Sequence, residues 1–191
     1  MATWKGILVL LVLMTALPVQ AEEAVVTESR AIVGAFMAEL KGELESAIRT
    51  QGPVEAVAVC QRQAPAIAAR LSLESGGQVA RTSLRLRNPD NAPDAWERQV
   101  LERFKQLRQQ GSDPMSLEYS EVVSIDGEMV LRYMKAIPTG AICLLCHGQD
   151  IDPAVQEALK RLYPQDQATG FSPGDIRGAF TVTKPLDGKG E

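Results

Sequence analysis

Histidine is nearly missing from this chain: among 191 residues there is one, His147. Cysteine is almost as scarce, with Cys60, Cys143 and Cys146 the full complement. A structural zinc site wants four such ligands, so it would have to use all three cysteines and the histidine. Adjacent Cys146 and His147 point in divergent directions, which makes one ion a poor fit for both. Three cysteines is an odd number, and in an exported chain that flags one leftover thiol. No apolar run reaches the ~20 residues that a membrane-spanning helix takes. A basic excess is also lacking: 20 Lys and Arg against 24 Asp and Glu give a net charge of −4, which argues against nucleic acid as a partner. There are no internal repeats and no low-complexity blocks, so one ordinary domain with its own core is expected.

What is present is concentrated in Cys143-Leu144-Leu145-Cys146-His147. This is the spacing of a covalent attachment site for c-type haem. Two thiols three residues apart lie on one side of a helical turn, where they can add across the two vinyl groups of a haem. The histidine that follows is then carried under the ring, placed to bind the iron. A bare CxxC also serves as a zinc half-site, a redox dithiol or a structural disulfide, but a thioredoxin-like dithiol needs a βαβ unit that is not readable here. With no second histidine, a bis-histidine haem is excluded within one monomer. A protein-derived sixth ligand is left to Cys60, to Met37, Met115, Met129 or Met134, or to a lysine or weaker donor.

The first residues read as an export signal. Lys5 supplies a positive start, Gly6 to Leu17 an apolar stretch, and Val19-Gln20-Ala21 a small-residue cleavage site. The expectation is a signal peptide over residues 1–21, a haem domain over 22–186 and a flexible tail over 187–191, with the protein in the periplasm. An uncleaved N-terminal anchor is the alternative; no cysteine follows the stretch to carry a lipid. Export agrees with the motif, because haem c is attached outside the cytoplasm. Removal of the leader takes away Lys5 and leaves the chain slightly more acidic.

From residue 24 to 50 apolar side chains recur at helical spacing, at Ile32, Phe36, Leu40, Leu44 and Ile48. That predicts a long amphipathic helix ending at Gln51-Gly52-Pro53, whose stripe packs on the core or pairs two copies of the chain as a homodimer. A second helix opens at Pro53, turns Val57, Cys60 and Ala64 to one side, kinks or restarts at Pro65 and ends at Gly76-Gly77. Cys60 thus looks inward, as an iron ligand or as a small buried hydrophobe. Val79 to Leu86 reads as a short strand. Asn91 or Asp94 then caps a helix with Trp96, Val100, Phe104 and Leu107 on one face. Extended runs over 117–137 flank Asp126-Gly127, a strong hairpin signal. Pro153 to Tyr163 reads as a helix and Ile176 to Lys184 as a last strand. The sum is α+β: helices first, then an antiparallel sheet of about four strands. A small soluble cytochrome c is nearly all helical, so this is haem c on another scaffold. Arg81, Arg85 and Arg87 alternate, which puts all three on one strand face, either paired with haem propionates or forming a solvated edge.

Four stretches together resemble a known family: AVCQRQAPAIA (58–68), RTSLRLRNPDNAPDAWE (81–97), CLLCHG (143–148) and GDIRGAFTV (174–182). The family comprises exported, single-haem c-type proteins with a PAS-like fold, often described only as a domain of unknown function. The resemblance spans most of the chain in the family's order, with no departure at the haem positions. It implies a PAS-like sheet holding the haem, His147 as one axial ligand and a cysteine as the other, at the position of Cys60, with Met134 as runner-up. Family members occur alone or fused to signalling modules, and no output module is expected over residues 1–191.

Three functions follow from these readings. The first is a periplasmic redox or diatomic-gas sensor: a Cys60 thiolate favours ferric iron and a low potential, and its release would be the switch. The second is an electron-transfer cytochrome working with a redox partner protein. The third, a peroxidase-like enzyme, needs an open distal position and a distal acid–base group, neither of which the sequence offers, so no enzymatic activity is expected.

Overall fold

The computed structural model describes residues 16–186. Most of the expected leader (1–15) and the expected tail (187–191) lie outside them. Helix α1 (Ala16–Gln51) runs through the expected cleavage point, so a chain starting at Glu22 keeps the greater part of it. Among the described residues no helix is long and apolar enough to cross a membrane.

The predicted stripe of α1 is buried at Ile32 and Phe36 and half-buried at Leu40, Leu44 and Ile48. Ile32, Val33 and Phe36 pack against α2 (Pro53–Ser75) and the sheet, with the Phe36 ring tilted against Phe180 at 5.0 Å. Pro53 opens α2 in the first turn, where its missing N–H is no loss. Of the kink or restart expected at Pro65, the restart does not occur: α2 continues as one helix to Ser75. Proline removes one helical hydrogen bond there, and the buried Ala64, Ile67 and Leu71 around it keep the segment helical.

Four antiparallel strands form the sheet in the order β1-β4-β3-β2: β1 (Gln78–Thr82), β2 (Glu118–Ile125), β3 (Glu128–Pro138) and β4 (Ile176–Pro185). The hairpin between β2 and β3 turns at Asp126 (φ 52°) and Gly127 (φ 88°). Two successive positive φ angles are what a two-residue primed turn requires. Alternation along the strands divides the core into two faces. Leu131, Tyr133, Phe180 and Val182 face α1 and α2. Met134, Ala136 and Ala179 face α3 (Ala95–Gln109), meeting Val100, Leu101 and Phe104. Of the two predicted caps Asp94 is the one used: its carboxylate accepts from the Glu97 N–H at 2.8 Å and Glu97 returns the bond to the Asp94 N–H at 3.1 Å.

A third cluster builds the functional end. Val57 of α2 packs with Ile151 and with Val155, Ala158 and Leu159 of the last helix (Pro153–Leu162), and Cys146 packs against this group. The first half of α2 is thereby tied to the segment that carries the CxxCH motif.

Candidate functional site

After β3, backbone bonds from Thr139 N to Asp175 O (2.8 Å) and from Gly174 N to Thr139 O (2.9 Å) fix where the chain enters the motif. A 3-10 turn over Ala141–Cys143 leads into α4 (Leu144–His147), one turn long. Gly148 closes it with its N–H on the Leu144 carbonyl, and a Cβ there would stand 2.6 Å from that oxygen, so only glycine fits. The last helix of the fold, Pro153–Leu162, is α5. Cys143 and Cys146 are half-buried free thiols, as is Cys60. No group of three or more His, Cys, Asp and Glu among the described residues is arranged to hold a metal ion.

His147 is held from behind. Its Nδ1 lies 2.6 Å from the Ala168 carbonyl oxygen, and its own carbonyl accepts from the Phe171 N–H at 2.9 Å. So short a contact with a carbonyl puts the proton on Nδ1, because two lone pairs would repel at that distance. The Arg177 Nε–H, 3.1 Å from Nδ1 and 3.4 Å from Nε2, therefore has its acceptor in Nε2. Burial first, then the charges of Arg177 and Arg87, pushes the imidazole pKa well below its usual 6.5. The ring is neutral, with its lone pair on Nε2. A carbonyl behind the other nitrogen is how metal-binding histidines are commonly oriented.

The arginines do not share a strand face. β1 ends at Thr82, where the Ser83 hydroxyl takes the Arg85 N–H at 3.2 Å and draws the chain out of the sheet. Arg85 is exposed, stacks 4.4 Å from the Phe171 ring centroid and donates to the carbonyls of Gln167 and Thr169. It braces the loop behind His147 and does not reach into the site. Arg87 does reach it. Its guanidinium pairs with Asp166 at 3.0 Å, donates to the Cys146 and Ala168 carbonyls and lies 3.4 Å from His147 Nε2. Arg177, which the sequence reading passed over, joins it by donating to Ser83 Oγ at 3.0 Å. Burial, then Arg87 and Arg81, lowers its pKa to about 9. Arg81 is the third member, its pKa pulled down by burial. Among the described residues Asp166 alone stands against these three cations, so the cluster is suited to an anionic guest.

Cys60 reaches the cluster from α2. Burial raises its thiol pKa while Arg81 and Arg87 oppose the rise; Cys143 adds to the rise at Cys60, and Cys60 and Cys143 add to it at Cys146. Met134 is fully buried under α3, on the opposite face of the sheet from α2. Met37, Met115 and Met129 are exposed and outside this cluster. The parts brought together are two free thiols one helical turn apart, a neutral imidazole whose Nε2 lone pair accepts from Arg177, a third thiol and surplus guanidinium charge. They are the kinds of group that hold a haem: sulfur and nitrogen donors for an iron and cations for carboxylates.

The profile of the Tll0287-like family matches residues 19–185. Among solved structures the chain is similar to the crystal structure of the cyanobacterial heme-protein Tll0287, at 27% identity and a TM-score of 0.61. That match covers 83% of this chain and 95% of the other. No curated protein matches.

Proposed function

The chain belongs to the Tll0287-like family, and from that premise we propose that it is an exported protein carrying one covalently attached haem c and serving as a redox- or gas-responsive sensor. The observation that carries the proposal is His147, neutral with its lone pair on Nε2, placed directly after two free half-buried thiols. The heme-protein named among the similar structures supports it. Cys143 and Cys146 would form the thioethers, His147 Nε2 and Cys60 Sγ would bind the iron, and Arg87 and Arg177 would meet the propionates. The bound haem supplies a one-electron centre able to take an exogenous ligand. As thiolate, Cys60 would donate charge to ferric iron and hold the potential low, which would make Cys60 the residue through which reduction is sensed. The leader at residues 1–21 directs the chain to the periplasm, where the thioethers form. The reading assigns no turnover, since no second histidine is available as a distal acid–base group. Electron transfer is the second function that the same centre serves.

Expression of the full chain in a periplasm competent for haem c maturation tests the cofactor. The expected product starts at Glu22 and retains haem after denaturation, by intact mass and by the pyridine haemochrome spectrum. The Cys143→Ala/Cys146→Ala double variant should retain none. A wild-type chain without covalent haem would contradict the proposal.

A further inference from the structure

One cation of the cluster stands apart from the histidine. Arg81 lies on β1 with its guanidinium 5.8 Å from the Phe36 ring centroid. The acidic side chains that act on it, among the described residues, are Cys60 and Tyr163, neither of them a carboxylate. It lines a cavity of about 230 Å³ together with Cys60, Gln61, Asn88, Asn91 and Tyr163. Asp90 also lines this cavity but is exposed and makes no ion pair with Arg81 among the described residues. His147, Arg87 and Arg177 take no part in the wall. The cavity therefore belongs to the Cys60 side of the site, and Arg81 is its cation.

A space beside a cysteine ligand gives the side chain somewhere to turn and leaves room for a small molecule in its place. The wall chooses the molecule. Carbon monoxide, which stays nearly neutral when bound, gains little from a guanidinium, whereas an anion gains a charge-assisted hydrogen bond. We propose that the Cys60 side of the site admits small inorganic anions that bind ferric iron, the azide, cyanide, nitrite and hydrosulfide class, and that Arg81 is the residue that holds them. The proposal rests on the haem reading with Cys60 as ligand. Cys60 gives up its bond to iron as the anion's bond forms, leaves as thiolate with the electron pair, takes a proton from water and turns into the cavity. No electron is transferred.

The test is a titration of the ferric holoprotein with sodium azide, followed by the Soret shift. Carbon monoxide is titrated in parallel into the reduced protein. Arg81→Gln is expected to weaken azide about tenfold, Arg81→Lys to recover most of the loss, and carbon monoxide to change by less than about twofold. Labelling of Cys60 by a maleimide, read by mass, should rise with azide in the wild type. Equal azide affinity in wild type and Arg81→Gln would overturn the proposal, and so would azide and carbon monoxide weakened alike. If covalent haem with histidine ligation is present and azide does not bind, the anion site falls and the haem reading stands. A chain without covalent haem removes both.

Discussion

At His147 the 2.6 Å contact between Nδ1 and the Ala168 carbonyl decides which nitrogen is free. Arg87 holds that carbonyl in place, since the same guanidinium bonds Ala168 O, Cys146 O and the Asp166 carboxylate, with both partners of the ion pair near 10% exposed. Arg87→Leu would strand a buried carboxylate. It is expected to cost about 3 kcal/mol of stability, read by urea unfolding of the haem-free Cys143→Ala/Cys146→Ala chain. A loss under about 1 kcal/mol would mean that water already serves Asp166. The residues of the motif were legible because their spacing is itself the chemistry. Arg177 was not, although a lone cation between Ile176 and the small residues Gly178 and Ala179 of a strand was a visible signal. Arg85 was misplaced for a local reason: alternation was extended past Thr82, where the Ser83 hydroxyl ends the strand.

At the scale of elements, the sequence spoke clearest where the signal is local. Asp126-Gly127 located the hairpin, Pro53 opened α2, and Asp94 with Glu97 began α3. Burial alone would raise the Asp94 pKa, but the Glu97 N–H and Arg132, 2.7 Å away, more than offset it and hold the carboxyl below its usual 3.8. A carboxyl whose folded pKa lies under its unfolded one stabilises fully above the unfolded value and loses that contribution as pH falls through the folded value. Asp94→Ala should therefore cost about 1 kcal/mol near neutrality, with the gap to wild type closing below about pH 3.8. Urea midpoints from neutral to acid pH measure this, and a gap that stayed constant to about pH 2 would contradict it. Pro65 does not restart the helix, because the local rule against helical proline is outweighed by long-range burial of Ala64, Ile67 and Leu71.

Across the whole molecule, the site lies at the seam where α2, the motif turn, α5 and the ends of β1 and β4 meet. Convergence there depends on contacts far apart in sequence, such as Val57 on Val155 and Arg87 on Asp166. Helical periodicity turned Cys60 inward, but whether it met His147's side of the fold was not in that pattern. The sheet answers it for the methionine alternative, since Met134 faces α3 while α2 covers the other side. The central claim is that Cys60 and His147 are the two donors to one covalently held haem. It is tested most directly by oxidised and reduced absorption spectra of matured wild type beside Cys60→Ala. A six-coordinate ferric spectrum with thiolate character, lost in Cys60→Ala while the haem remains covalently attached, is the expected result. A spectrum unchanged by that substitution would contradict the claim and make Cys60 a core residue.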